Sequence, residues 1–492
     1  MSIQKRLFIG VAAILFLANL LVMNDFTSLW DGPESFIFWQ LSQGGSKGSL
    51  YEGVLSLVYN LGIFWFRLPG ALLLLLAMPL YWLISQKIFG RQATLYTLLA
   101  LAASLLMPNL AKCASGDVWA MVTQWLAFAT LIRFLKQPER GWQLLFYLLL
   151  ALAVWVQPMN AFIFLLGVSI YLYFAHPQGK NLIRLQPWLA GPAFAGILYA
   201  LNMLSFDGQG FVVGFRSGRF FLWNFLGLLP FLGFWMAGLW ESFQRARKGE
   251  ELARISLGAF IFAMLGHSLA LQGILALLVA KQWQGAFQSG YPYKPIVLTG
   301  ALLHLLGIFF AAILLMIGGF HEFGPLGFRA GVATTGAYWM LSFVGVIGLV
   351  GGNRRYVIGG AVLAGLLLTT LFWLQLNPLL ESRRNWASRL VQETAVYSKQ
   401  AGQPPTKNVF VFHPNGTPFP KLAAYAGAAF PHIRLLQTDT ELRAALAEAQ
   451  VSYVLLPVET ARKLEPDSGR EIKRIEGWTD GLQPLEYVLL SY

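Results

Sequence analysis

Apolar residues in this chain come in long blocks, not in short periods. Twelve blocks can be counted, at about 7–23, 68–87, 92–109, 117–135, 142–157, 158–175, 185–204, 220–240, 257–280, 296–317, 328–350 and 357–376. Most are close to the ~20 residues that a helix needs to cross a hydrocarbon layer of about 30 Å. Lys5 and Arg6 precede the first block. No small-residue cleavage site follows it and further blocks come, so it reads as a membrane helix with an inner N-terminus, not as a signal peptide. A long polar connection then runs to Arg67. Its amphipathic part, around residues 51–66, predicts a segment lying along the membrane interface.

The pattern changes near residue 380. Asn408–Phe412, 433–437, 451–456 and 486–491 read as strands, and 420–429 as a short helix. Residues 438–450 read as a second helix, capped by Thr438 or Thr440, with Leu442, Leu446 and Ala449 on its apolar face. Strands alternating with helices predict a small α/β domain with a partly parallel sheet. The expected fold is therefore a polytopic α-helical membrane protein of about 11–13 transmembrane helices with a small C-terminal α/β soluble domain. The domains would be 1–379 and 380–492. The tail holds no Gly-rich phosphate loop and no nucleophile elbow. Its Asn415-Gly416-Thr417 reads first as a turn.

Composition agrees. The 492 residues are 56% hydrophobic and 12% charged, more apolar surface than a soluble fold can use, and 17 Trp and 38 Phe suit lipid-facing and interfacial positions. The single Cys113 rules out an internal disulfide, and the six histidines show no metal-ligand spacing. Net charge is +13, and all but +1 of it lies before Glu381. Basic membrane loops account for this better than a nucleic-acid surface does. The positive-inside rule is obeyed up to about residue 255. After that, twelve crossings would put Arg354–Arg355 outside, whereas the rule prefers them inside. One crossing between 255 and 320 must be miscounted or re-entrant, so an odd total of 11 or 13, with an outer tail, is expected.

Only 11 acidic residues precede Glu381, and two of them, Asp31 and Glu34, sit three apart around the helix-breaking Gly32-Pro33. On this count the other outer acids are Asp25, Glu52, Asp117 and Asp207, and the outer bases are Lys47, Arg67, Lys112, Arg216, Arg219, Lys281 and Lys294. Outer cations run against the charge rule. They point either to a bound phosphate or diphosphate or to head-group contacts of snorkelling side chains. Asp117 opens a helix, where the dipole alone would favour an acid. Residues 208–219 form a Gly-rich connection that reads as a flexible linker or as a flap over a site. Asp31, Glu34 and Asp117 are expected to converge on one outer cavity, with the Asp117 carboxylate within about 10 Å of at least one of the other two.

Several stretches together carry a resemblance. They are the acidic first loop, Phe66-Arg-Leu-Pro-Gly-Ala-Leu72, Lys87-Ile-Phe-Gly-Arg91, Lys112-Cys-Ala-Ser-Gly-Asp117, Trp155-Val-Gln-Pro-Met-Asn160, and Lys281 with Tyr291-Pro-Tyr-Lys-Pro295. The chain resembles the GT-C class of membrane glycosyltransferases, in the branch of aminoarabinose transferases and protein O-mannosyltransferases. The resemblance implies a polyprenyl-phosphate-linked sugar as donor and inverting transfer to an acceptor on the extracytoplasmic side. It also implies a multi-pass protein of the bacterial inner membrane with its C-terminal domain outside. Asp31, Glu34 and Asp117 then match the catalytic acids. Arg67, Lys112, Arg216, Arg219 and Lys281 are candidates to bind the lipid phosphate. Neither a metal nor another cofactor is expected, and no nucleic-acid partner. Two features depart from the family pattern: the loop acids are separated instead of adjacent, and Lys112 stands where arginine is usual. The alternative is a non-catalytic scaffold subunit of a larger membrane complex.

Overall fold

A computed structural model describes residues 3–22, 29, 33–42, 50–185, 217–288, 290–400, 408–412, 421–430, 432–447, 451–464, 470–479 and 483–491. Asp31, Arg216, the apolar block at 185–204 and Asn415-Gly416-Thr417 lie outside these residues. The chain divides into two compact units. The first comprises Met1–Met23, Arg67–Lys112 and Gly116–Phe372. The second comprises Asn24–Phe66, Cys113–Ser115 and Trp373–Tyr492. The expected division at residue 380 is thus shifted a few residues earlier, and the first polar connection joins the second unit.

The first unit is a helical bundle. Among the described residues, five helices are long and apolar enough to span a membrane: Ile63–Phe89, Gly116–Lys136, Pro158–Ala175, Lys294–Val350 and Arg354–Arg384. A sixth span would be the pair Phe220–Gly227 and Leu229–Arg247, bent by 64°. The helix Lys294–Val350 is two helices in one. Gly324 has φ 62° and ψ −147°, which only glycine adopts easily, and Pro325 follows it. The arms meet at Gly319 and Gly327, so closely that a Cβ on Gly319 would lie 2.7 Å from the Gly327 carbonyl oxygen.

One expected block proves to be a hairpin. Residues 257–280 were read as a single span. Instead, Glu251–Leu265 and Leu271–Gly285 are separate helices, joined through His267, whose φ is 48°. They run antiparallel: Lys281 Nζ donates to Ser256 Oγ at 2.8 Å and to the Leu252 carbonyl at 3.4 Å. The chain therefore returns to the end of the bundle that it left. Gly266-His267-Ser268 marks the reversal in the sequence, but only three residues interrupt the apolar run there, so the block reads as continuous.

In the second unit the sheet order is β2-β1-β3-β5-β4, with β1 at Asn408–Phe412, β2 at Ile433–Leu436, β3 at Val451–Pro457, β4 at Arg470–Trp478 and β5 at Pro484–Ser491. β1 runs parallel to β2 and β3, and β5 antiparallel to β3 and β4. Side chains alternate between the faces, as the strand period of two requires. Val409, Val411, Tyr453, Leu455 and Leu489 pack with Trp386–Gln400 and Lys421–Ala429. Phe410, Phe412, Val454, Leu456 and Leu490 pack with Asp439–Ala447 on the other face. β4 was not foreseen. It is an edge strand of sequence Arg-Glu-Ile-Lys-Arg-Ile-Glu-Gly-Trp, charged as exposed edges commonly are, and it shows no apolar alternation. The helix Pro33–Ser42 from the first polar connection packs on Lys421–Ala429 through Ile37, Phe38, Leu41 and Ala424. Within the same unit the Leu29 amide donates to Tyr425 Oη at 2.8 Å.

Candidate functional site

Three of the expected site residues gather at one end of the helical unit. Arg67 stands in the first turns of Ile63–Phe89, and Lys112 lies just before Gly116–Lys136, which Asp117 opens. Gly70, one turn beyond Arg67, brings these elements together. A Cβ there would be 3.1 Å from Val118 and 3.6 Å from the Ala111 carbonyl, the immediate neighbours of Asp117 and Lys112. Arg67 and Lys112 are each 1% exposed. Burial, and then the positive charge of Arg67, bring the Lys112 ammonium down to about 7 from its ordinary 10.5. Two cations thus lie out of water at this end of the helical unit.

Asp117 is half-buried and is oriented by an amide relay. Gln157 Nε2 donates to its Oδ1 at 3.1 Å. Asn160 Nδ2 in turn donates to Gln157 Oε1 at 3.2 Å and to the His267 carbonyl at 3.4 Å. Gln157 lies at the break between Arg140–Val156 and Pro158–Ala175. The sequence offered a signal for it, a Gln-Pro pair with an amide three residues from the Gln, but no reason to link that pair to Asp117.

Glu34 belongs to the second unit. It lies in the first turn of Pro33–Ser42, has no exposed surface, and accepts a hydrogen bond from the Ala114 amide at 2.8 Å. That bond ties the first polar connection to the peptide three residues before Asp117. Through Oε1 the carboxylate anchors the chain at this amide. Asp31, its expected companion, lies outside the described residues, as does Arg216. Arg219 stands in the first turn of Ser217–Gly227.

Lys281 is a correction. It was expected at the same surface as Asp117, but it sits at the opposite end of the bundle. It lines a cavity of about 370 Å³ with Phe89, Glu241, Arg245 and Glu250. Phe89 ends the helix in which Arg67 stands 22 residues earlier. At 1.5 Å per residue that places Lys281 about 33 Å from the Arg67 end. The error follows from the hidden hairpin, since a miscounted crossing inverts the side given to every later loop. The other groups of this cavity interlock. Arg245 pairs with Glu241 at 2.6 Å and with Glu250 at 3.2 Å. Gln282 donates to Glu241 and accepts from Tyr291 Oη.

No family model matches the sequence, and neither does any curated protein. Solved structures do. The chain is similar to ArnT from Cupriavidus metallidurans bound to undecaprenyl phosphate, with a TM-score of 0.62 at 14% identity over 99% of this chain and 98% of that one. ArnT in the apo state gives a TM-score of 0.61 at 14% identity, covering 99% and 97%. The apo oligosaccharyltransferase of Archaeoglobus fulgidus gives 0.45 at 11% identity, covering 98% and 74%. The helical bundle and the small α/β domain of this chain are similar in fold to those of ArnT.

Proposed function

We propose that this protein is a membrane glycosyltransferase that moves a sugar from a polyprenyl-phosphate donor to an acceptor on the extracytoplasmic side. The observation that carries the reading is the pair of buried cations, Arg67 and Lys112, at the same end of the bundle as Asp117. That arrangement suits a lipid phosphate, and the neighbour of like fold was solved with undecaprenyl phosphate. In the proposed step a carboxylate, Asp31 or Asp117, takes the proton of the acceptor hydroxyl. The freed oxygen attacks the anomeric carbon, the bond from that carbon to the phosphate oxygen breaks, and the configuration inverts. The electron pair leaves with the polyprenyl phosphate, whose charge Arg67 and Lys112 offset, with Arg216 and Arg219 as further candidate cations. Gln157 holds Asp117 in place. Glu34 and Lys281 have no part in the step.

In this reading the tail from about residue 380 and the Asp117 end both face away from the cytoplasm, in a bacterial inner membrane. Support comes from the hairpin at His267, which restores the parity that Arg354–Arg355 require. An impermeant thiol label on a cysteine placed in the tail should react in intact spheroplasts; reaction only in inverted vesicles would reverse the assignment. For the chemistry, purified protein in liposomes should release polyprenyl phosphate from a polyprenyl-phosphate sugar when an acceptor is present. Release should fall about 10²–10⁴-fold in whichever of Asp31→Asn and Asp117→Asn removes the base. Full release in both variants would remove the carboxylates from the mechanism.

A further inference from the structure

The helical unit carries a second cationic place, unconnected with the site above. A groove of about 420 Å³ opens between the first helix, Ile3–Leu17, and the helices Arg91–Ala102 and Arg354–Leu371. Its walls are apolar: Phe8 on one side, Leu95 and Leu99 on the second, Ile358 on the third. At its head stands Arg354, with its guanidinium carbon 5.1 Å from the Tyr96 ring centroid. Gln92 steadies that ring by donating to Tyr96 Oη at 2.9 Å.

Among the described residues Arg354 has no counter-charge. Its Nε and Nη2 are buried and have no hydrogen-bond partner among the described residues, where no carboxylate pairs with it either. No acidic residue is among those lining the groove. An arginine whose donors go unmet beside apolar walls is costly unless something anionic completes it. Stacking on Tyr96 covers one face of the guanidinium but supplies no charge. Exposed Arg355, next in the chain, adds a second cation, and the amide dipoles at the start of Arg354–Leu371 favour an anion at the same point. Below this head the groove can take a hydrocarbon chain. Gly359 leaves it open: a Cβ at that position would meet nothing nearer than the Phe8 ring, at 3.9 Å.

We propose that this groove is a binding site for an anionic phospholipid, its phosphodiester held by Arg354 and Arg355 and one acyl chain lying between Phe8 and Gly359. The occupant is committed by the two halves of the site together. A free phosphate would leave the apolar walls unused, and a zwitterionic lipid would bring its own cation against the arginines. The charge pattern that places Arg354–Arg355 on the inner side also puts the site in the leaflet where such lipids meet basic loops.

The test is native mass spectrometry of the full-length, delipidated protein in neutral detergent, titrated with phosphatidylglycerol or phosphatidylethanolamine of identical acyl chains. One phosphatidylglycerol should bind at least tenfold more tightly than phosphatidylethanolamine. Arg354→Gln should erase that preference and Arg354→Lys should retain most of it. Gly359→Leu, which fills the chain slot without touching a charge, should weaken both lipids. Glycerol phosphate at the same concentration should not compete. Equal binding of the two lipids, an undiminished preference in Arg354→Gln, or undiminished binding of both lipids in Gly359→Leu would overturn the proposal. So would displacement by glycerol phosphate, which would make the site one for free anions, or by equimolar undecaprenyl phosphate, which would assign it to the donor lipid.

Discussion

Lys112 makes the affinity for a lipid phosphate depend on pH in a way that an ordinary lysine would not. Burial and Arg67 hold its ammonium near 7 in the free protein, against an ordinary 10.5. A phosphate dianion placed beside it reverses the Arg67 effect and restores the charged form. The sign follows directly. Well below pH 7 the lysine is charged before and after binding and adds no pH dependence of its own, leaving only the phosphate's second ionisation near 6. Above pH 7 the free protein has lost the proton and must regain it to bind. Affinity then falls about tenfold, or 1.4 kcal/mol, for each pH unit up to the value in the complex. Between pH 7 and pH 9 the expected loss is about 100-fold. The phosphate itself is already a dianion over this window, since its second ionisation lies near 6. A direct assay is binding of radiolabelled undecaprenyl phosphate to detergent-solubilised protein at fixed ionic strength. Calorimetry at pH 8 in two buffers of different ionisation enthalpy should show uptake of close to one proton. Lys112→Arg keeps a fixed charge and should flatten the profile, while Lys112→Met should bind weakly at every pH. A wild-type profile that is flat from pH 7 to 9, or a slope that survives in Lys112→Arg, would refute the reasoning.

Other consequences can be measured separately. Gln157→Leu removes the amide that orients Asp117; turnover should fall while undecaprenyl phosphate binding stays within about twofold, and equal loss of both would make Gln157 a packing residue. Glu34→Leu leaves the Ala114 amide without its acceptor inside the second unit; thermal unfolding in detergent should show a loss of about 1–3 kcal/mol, whereas unchanged stability would return Glu34 to the list of catalytic acids. Gly324→Ala places a side chain where φ is 62° and ψ −147°; it should destabilise by about 1–3 kcal/mol in the same assay, and no effect would mean that the two arms of Lys294–Val350 meet differently. Thr438→Ala deletes the hydroxyl that accepts from the Glu441 amide at 3.2 Å and should cost about 1 kcal/mol, read from chemical denaturation.

What the sequence revealed, and what it hid, follows from how each feature is encoded. The membrane class and the α/β tail were legible because apolar block length and strand alternation are one-dimensional signals. The cap at Thr438 was legible too: its hydroxyl and the Glu441 carboxylate, which accepts from the Gln437 amide at 2.7 Å, form a reciprocal pair of local origin. The reversal at His267 was not, since Gly266-His267-Ser268 is too short an interruption to divide a long apolar block. That one omission carried Lys281 to the wrong end of the bundle. β4 was hidden because a charged edge strand buries little beyond Ile475. The role of Glu34 was hidden as well, because its bond to Ala114 joins residues 80 positions apart. Arg67, Lys112 and Asp117 stood out as charges at helix ends; that they share one end rests on the approach of Gly70 to Ala111 and Val118, which only the fold supplies.

The most direct measurement is a cryo-EM map of the protein in nanodiscs loaded with undecaprenyl phosphate. Phosphate density is expected within hydrogen-bond reach of Arg67 and Lys112, at the Asp117 end of Gly116–Lys136, and it should be lost in Lys112→Met. Density in the cavity of Lys281, Glu241 and Arg245, with the Arg67–Lys112 end free of lipid phosphate, would contradict the account.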